Sequence, residues 1–525
     1  MPKWGDSEEE PRGSGEGHDQ DLSAREPDER TRLLASHPRP PRSDGYLDPD
    51  DPAVSPYNLW TIRFLRYLTV LFLFITLIWW ILLLVSVFAS PPGFQSRGSG
   101  FTHFSFTCLT IGNILVSLLF FASPSQAMRI LAAVVSLFLL VDMILILAVS
   151  KLRIEEGWVG IASVVWAFLI SVWCITVDRV VAWGKQEEEE RLTGRPETRR
   201  TAREWLSVLI STIILSVFIA IVVLLTATLS LRARDSSLRM QGQKILVDDG
   251  KYAVHLACVG NATNADGKPM PTILLEAGEG TVEYGLEPWA YNCLKNGTIS
   301  RYCYWDRPGY AWSDNAPSPH SAGMTARALM EALAIAGEDG PWVLVSAGKG
   351  SIVSRIFSSN NGHRVSGLML IDPLHEDLLY RFASPGTGFW LWAWGIISPL
   401  GIDRLVGAFF RGRTREDRIY GRSAYQSGRF IKAELQESLV ADSFTKQDIS
   451  SARVIQDRSA PLVVMSSGVR VRKDSAWEKK QNDLTTITDN LVVWDVVPKT
   501  PHEIWTTYDG RKAMEKDLKK LLQAI

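Results

Sequence analysis

Residues 343–357 read VLVSAGKGSIVSRIF. The apolar run at 343–345 suits a buried strand, the small residues that follow suit a tight turn, and Ile352, Val353 and Ile356 restore apolar spacing of the helical kind. A strand, a sharp turn and a helix are thus predicted within fifteen residues. The centre of the turn is Gly348, which has no side chain.

Working outward, the chain has 525 residues, 46% hydrophobic and 22% charged, with a formal net charge of -1. That balance excludes a general nucleic-acid binder, which needs a concentrated basic surface. The five cysteines form no CxxC pair and the eight histidines are dispersed, so no metal-ligand spacing is present and no cofactor is expected. Residues 1–57 are acidic and poor in large apolar side chains, which predicts a disordered tail. Within the tail, Glu29, Leu33 and Leu34 have the spacing of an acidic dileucine sorting signal read by a clathrin adaptor, with a chance match as the alternative.

Five apolar runs come next, at 67–89, 104–122, 130–150, 158–177 and 205–229, each about the length that crosses a bilayer. A multi-pass region is therefore predicted over 58–230. The connection after the fourth run carries Arg179, Lys185, Arg191, Arg195, Arg199, Arg200 and Arg203, whereas the first connection carries only Arg97. Basic loops stay on the cytosolic side, so the tail is expected in the cytosol and everything beyond 230 in a lumen or outside. Asp142, near the middle of the third run, is costly in lipid and is expected to face other helices, with Asn113 as a partner. One such acid also admits a transporter-associated reading.

After a linker at 231–243, strand-like runs at 244–247, 252–258, 272–275, 302–305, 342–345, 367–371, 462–465 and 492–497 alternate with helical patterns such as 322–336 and 513–522. Asp249-Gly250 between the first two runs signals a type I′ hairpin. The alternation predicts a mostly parallel sheet covered by helices on both faces.

From residue 244 to the end, the chain resembles the α/β-hydrolase superfamily, especially its small esterase-like members. The resemblance rests on LLEAGEG at 274–280, CYWDRPGYAWSD at 303–314, GPWVLVSAGKGSIVSRIF at 340–357, GLMLIDPLHED at 367–377 and VVPKTPHEIW at 496–505, five segments in the superfamily's order. It implies an eight-stranded sheet over 244–525 with a helical lid at about 378–456, and says nothing about the membrane region. It also implies roles. Gly348 occupies the nucleophile position, which makes the usual covalent chemistry impossible. His502 stands at the position of the catalytic histidine, and Asp372 and Asp474 are both candidates for the acid. The backbone amides of Glu279 and Lys349 resemble an oxyanion hole. Ser346 and Ser351 are the nearby hydroxyls. Cys258 and Cys303 fall where related hydrolases often carry cysteine, and either a bridge or two buried thiols is implied.

Asn261 and Asn296 begin Asn-x-Thr glycosylation sequons, consistent with a lumenal domain. Together these features predict a membrane protein presenting a hydrolase-like pseudoenzyme that binds a lipid or acyl ligand or a protein partner. An active hydrolase with an atypical nucleophile is the alternative. The sequons and the dileucine pattern point to an endomembrane, a vacuole, lysosome or endosome.

Overall fold

The computed structural model describes residues 56–194, 202–263 and 270–525; the tail signal at Glu29, Leu33 and Leu34 lies outside them. Five helices are long and apolar enough to cross a membrane: α1 (Trp60–Phe88), α2 (Phe101–Leu119), α3 (Gln126–Ala148), α4 (Ser150–Thr193) and α5 (Ala202–Asp235). The apolar runs of the sequence fall on these helices: the fourth and fifth lie wholly within α4 and α5, whereas the first three overrun the ends of α1, α2 and α3 by one to three residues. α4 is broken at Gly157, where φ is +62°. Its membrane stretch therefore starts at Trp158, and a short helical piece carrying Glu155 and Glu156 sits at its beginning.

Within lipid, apolar contacts alone do not favour one helix pairing over another, so polar pairs and close packing set the arrangement. Between α1 and α4 they form a ladder. Trp173 donates to Thr69 Oγ1 at 3.1 Å, Trp166 to Thr76 Oγ1 at 2.9 Å, and Trp79 to Ser163 Oγ at 2.9 Å. The seven-residue steps from Thr69 to Thr76 and from Trp166 to Trp173 keep these groups on one face of two antiparallel helices.

The rest of the chain is an α/β-hydrolase fold. Its strands are β1 (Gln243–Val247), β2 (Tyr252–Gly260), β3 (Thr272–Glu276), β4 (Arg301–Asp306), β5 (Trp342–Ala347), β6 (Val365–Ile371), β7 (Leu462–Ser467) and β8 (Leu491–Val497). They form one sheet in the order β1-β2-β4-β3-β5-β6-β7-β8, in which β2 runs antiparallel to both neighbours and the remaining pairs are parallel. The β1–β2 turn has positive φ at Asp249 and Gly250, as a type I′ hairpin requires.

The helices are α6 (Glu287–Lys295), α7 (Ala322–Ala336), α8 (Gly350–Asn360), α9 (Pro385–Ile397), α10 (Ile402–Phe410), α11 (Arg415–Ile419), α12 (Gly428–Val440), α13 (Lys446–Ile455), α14 (Gly468–Lys473), α15 (Ser475–Leu484) and α16 (Tyr508–Ala524). α7 and α8 cover one face of the sheet, and α6 and α16 the other. Every residue of β5 is buried, which explains the unbroken apolar run from Trp342 to Val345. Cys258 and Cys303 face each other across β2 and β4 and form a disulfide.

The lid departs from a simple cover. α9 and α10 form an apolar pair bent by 48°, long enough together to resemble a sixth span. They cannot cross once, because β6 before them and β7 after them pair in the same sheet. The chain must leave and return on one side, as a re-entrant or surface-lying hairpin. α9 packs on the bundle through Leu391 and Trp392 against Val87 and Phe101. On the outside, Trp390, Phe409 and Phe410 are at least 70% exposed, a surface suited to lipid rather than water.

Candidate functional site

The segment between β5 and α8 turns as its sequence predicts. Gly348 has φ +45°, a left-handed value that glycine adopts without Cβ strain. Its N–H donates to Ile371 O at 3.1 Å and its carbonyl accepts from Leu374 N at 3.0 Å, which ties the turn to the end of β6. Gly350 is required for a different reason: a Cβ there would lie 1.9 Å from Ala277 O, so only glycine lets α8 approach the end of β3.

The space beside Gly348 is already taken. A Cβ at this position would meet Glu279 Oε2 at 2.5 Å and Oε1 at 2.8 Å. The expectation for Glu279 concerned its backbone amide; the structure brings its side chain to the space beside Gly348. From there Glu279 Oε2 lies 2.9 Å from His502 Nε2, and His502 Nδ1 lies 2.5 Å from Asp372 Oδ2. Asp372, Glu279 and His502 thus form an acid–histidine–acid relay.

The electrostatics follow from this geometry. Burial disfavours a charged His502, but its hydrogen bonds to Asp372 and Glu279 and their charges outweigh that and raise it from 6.5 to about 9. Burial likewise opposes ionisation of Glu279, yet the His502 hydrogen bond and charge, helped by Lys349 and Arg470, lower it from 4.5 to about 2. At neutral pH the histidine is an imidazolium donating from both nitrogens. Asp372 is fully buried with φ +41°, and its Oδ1 accepts from Ser467 N and Trp477 Nε1, each at 3.0 Å. These bonds fix the conformation that aims Oδ2 at His502.

Asp474, the other acid candidate, does not reach the histidine. The chain after β7 forms α14, which carries Asp474 away to cap α15 through the amides of Ala476 and Trp477 and to pair with Arg381 at 2.6 Å. The hydroxyls near the elbow are also disengaged from His502. Ser346 is buried in β5 without a hydrogen-bond partner among the described residues, and Ser351 donates to Gly348 O at 2.7 Å.

A second buried network backs the turn. Arg307 donates to Ala277 O at 3.0 Å and Gly278 O at 2.7 Å, and pairs with Glu276 and Glu437. Lys349 pairs with Glu434 at 2.5 Å and Glu437 at 3.0 Å, carboxylates of lid helix α12. Burial opposes the Lys349 charge, but these two acids hold the ammonium well above its ordinary value. The lid is therefore clamped to the elbow by ion pairs. Beneath it, a cavity of about 80 Å³ is lined by Ile352, Leu374, Leu379, Phe382 and Leu391 beside Lys349.

The other residues singled out by sequence fall in separate places. Asn261 and Asn296 are both exposed at the domain surface, Asn296 next to Glu515. Asp142 is fully buried in the bundle, but it does not pair with Asn113: both carboxylate oxygens and the Asn113 amide nitrogen lack hydrogen-bond partners among the described residues. The polar neighbour of Asp142 is Thr226 on α5, whose hydroxyl donates to Val222 O. One trio, the buried His255 and Asp306 with the half-buried Glu283, has the ligand types for a cation. Its close pair is His255 Nδ1 with Asp306 Oδ2 at 2.7 Å, and burial together with the Asp306 charge keeps Glu283 well above the carboxylate range.

Sequence reading missed a chain of charges where the bundle meets the domain. His103 on α2 pairs with Glu156 at 2.7 Å, Glu156 with Arg232 on α5 at 2.7 Å, Arg232 with Glu155 at 2.7 Å, and Glu155 with Arg429 of the lid at 3.3 Å. The signal was available: adjacent acids at the start of the fourth apolar run and an arginine at the end of the fifth, each expensive near lipid unless paired.

Among proteins of known sequence, a family described as "Region of unknown function (DUF2417)" matches residues 29–258. An uncharacterized vacuolar membrane protein of Saccharomyces cerevisiae is 29% identical over 323 residues, covering 53% of this chain and 50% of its own length. Among solved structures, the Cif epoxide hydrolase from Acinetobacter nosocomialis is 14% identical with a TM-score of 0.42, covering 56% of this chain and 94% of its own. The α/β hydrolase MGS-M2, from a Medee basin deep-sea metagenome library, is 10% identical with a TM-score of 0.38, covering 54% and 97%. An uncharacterized Schizosaccharomyces pombe protein is 31% identical over 535 residues, 96% of this chain and 98% of its own length, so the similarity takes in the membrane helices and the hydrolase-like domain alike. The chain belongs to the family of that fission-yeast protein.

Proposed function

We propose that this protein presents a catalytically silent α/β-hydrolase-like domain on the lumenal side of the vacuolar membrane, and that the domain acts by binding rather than by hydrolysis. The observation that carries the reading is the Glu279 carboxylate lying where a side chain at Gly348 would begin and pairing with His502. A general base needs a free lone pair and a nucleophile to deprotonate. His502, charged and donating from both nitrogens, offers no lone pair, and Gly348 offers no nucleophile. The cavity beneath the lid, about 80 Å³ and well below the usual ligand-pocket range, has room for no more than a small apolar group, so a partner of any size would have to bind on the domain surface.

The lumenal orientation is supported by the basic sequence between the fourth and fifth apolar runs, by the sequons at Asn261 and Asn296, and by the Cys258–Cys303 bridge. The vacuolar assignment is supported by the name of the budding-yeast relative. The N-terminal tail is then cytosolic, where Glu29, Leu33 and Leu34 are available to a sorting adaptor.

The decisive test is labelling of the purified full-length protein with a fluorophosphonate. No labelling is expected; labelling abolished by Ser346→Ala or Ser351→Ala overturns the silent-domain reading. The Gly348→Ser variant alone should also stay unlabelled, because Glu279 blocks the new hydroxyl and occupies His502. Labelling gained only in the Gly348→Ser, Glu279→Ala double variant would identify Glu279 as the block. For orientation, a mobility shift on glycosidase treatment is expected, and digestion of the domain by protease added from the cytosolic side would reverse the assignment.

A second reading, hydrolysis with an atypical nucleophile, draws on Glu279 Oε1. This oxygen makes no hydrogen bond among the described residues, and the side chain is 35% exposed. Ester turnover by the wild type that is lost in Glu279→Gln, with folding retained, would favour it.

A further inference from the structure

Where the bundle meets the domain, a cavity of about 380 Å³ opens between the ends of α4 and α5, the β1–β2 hairpin and the lid. Its residues are distinct from the elbow, and its chemistry is independent of whether the elbow is silent. Among the described residues its wall carries seven arginine and lysine side chains against three carboxylates. The carboxylates are already committed. Asp314 pairs with Lys244 at 2.7 Å, Asp235 with Arg418 at 2.5 Å, and Glu155 is shared by Arg232 at 2.7 Å and Arg429 at 3.3 Å.

That leaves Arg404 of α10. It lines the cavity, is only 9% exposed, and makes no hydrogen bond or ion pair among the described residues; its Nε is a buried donor without an acceptor. A guanidinium keeps its charge under all ordinary conditions, and leaving one buried and unpaired is strongly unfavourable. Lys151, at the rim, also makes no ion pair among the described residues, and rests 5.8 Å from the Trp312 ring. The first turn of α12, Ser427 to Arg429, borders the same space and adds the positive end of a thirteen-residue helix. Uncompensated positive charge therefore converges on one concave site.

The opposite wall is apolar. Leu225 and Leu229 of α5 face the cavity beside Ile154, which is 51% exposed at the bundle surface. We propose that this cavity binds a phosphate-bearing anion through Arg404, with Lys151 at the rim. The apolar wall at the membrane edge makes the headgroup of an anionic phospholipid the favoured source, and free inorganic phosphate the other. The volume lies in the lower part of the usual ligand-pocket range of roughly 300–1,000 Å³, which suits a headgroup while the acyl chains lie outside along α5 and α10.

The test uses the full-length protein in phosphatidylcholine nanodiscs with phosphatidic acid or phosphatidylinositol added, with retained lipid counted by native mass spectrometry after detergent extraction. Retention of an anionic lipid by the wild type, reduced about tenfold in Arg404→Met and largely kept in Arg404→Lys, is expected for one strong charge-assisted contact. Because Arg404 makes no hydrogen bond or ion pair among the described residues, Arg404→Met should leave the thermal midpoint measured without added anion unchanged or raised, whereas a structural arginine would lower it. Should Arg404→Met fail to fold, Lys151→Met reports instead, with a smaller loss of retention. Stabilisation by millimolar inorganic phosphate that depends on Arg404, without lipid retention, assigns the same site to free phosphate. Equal retention by wild type and folded variants, or no anion effect in either arm, overturns the proposal.

Discussion

The elbow and the junction cavity are both rich in buried charge, but they are wired in opposite ways. At the elbow every charge has a partner: His502 sits between Asp372 and Glu279, and Lys349 and Arg307 are held by lid carboxylates. At the junction the carboxylates are used up and Arg404 is left over. A site whose polar groups satisfy one another presents little to a charged ligand; a site with a buried, uncompensated charge is stabilised by one that supplies the opposite sign. In the hydrolase-like domain the buried groups at the elbow thus satisfy one another, while at its contact with the membrane bundle one buried guanidinium is without a partner among the described residues.

The largest expected effect contrasts removing a paired and an unpaired charge. Asp372→Ala strips a fully buried carboxylate from His502 and should destabilise the domain by roughly 3–5 kcal/mol, read by denaturant unfolding followed through tryptophan fluorescence. Arg404→Met should cost nothing in the same assay. Equal losses would erase the distinction between the two regions.

Next in size is the Cys258–Cys303 bridge, whose replacement by two alanines should cost roughly 2–4 kcal/mol. A maleimide reagent should modify these two cysteines in the unfolded protein only after reduction. Modification without reductant would mean that the thiols are free in the cell, and would count against a lumenal domain.

The smallest effect is in pH. His502 is raised from 6.5 to about 9, so its contribution is fully present below about pH 6.5 and is lost as pH climbs through 9. Glu279 is lowered from 4.5 to about 2, so its contribution is fully present above about pH 4.5 and is lost as pH falls toward 2. The stability difference between wild type and Glu279→Gln should therefore be greatest between these limits, on the order of 2–4 °C in thermal midpoint, since the Glu279 side chain is partly screened by solvent. A difference that instead grows above pH 9 would show that the relay is not an imidazolium held by two carboxylates.

Much of the fold is legible in the sequence because its signals are local. The five apolar runs, the alternating strands and the hairpin at Asp249-Gly250 each depend on residues within a few positions of one another. The lid was legible only as an insertion. That α9 and α10 turn back rather than cross appears once β6 and β7 are seen paired, since their composition alone resembles a span. At the candidate site, Gly348 and His502 could be placed from motifs, but the acid stayed open between Asp372 and Asp474. The side chain of Glu279 was overlooked because its position in the turn pointed to its amide.

The sequence by itself determined which segments are apolar enough for lipid, which form the sheet, and that the centre of the elbow has no side chain, because hydrophobic periodicity and the identity of Gly348 are properties of the local chain. Tertiary structure alone decided which side chain lies beside Gly348 and which buried charge is unpaired among the described residues. Glu279 meets His502 across 223 positions and His502 meets Asp372 across 130, while Arg404 is unpaired among the described residues and Asp235, the acid whose charge acts on it, is paired with Arg418. Electrostatic pairing depends on distance in space and on burial, and neither is written in the spacing of residues along a chain.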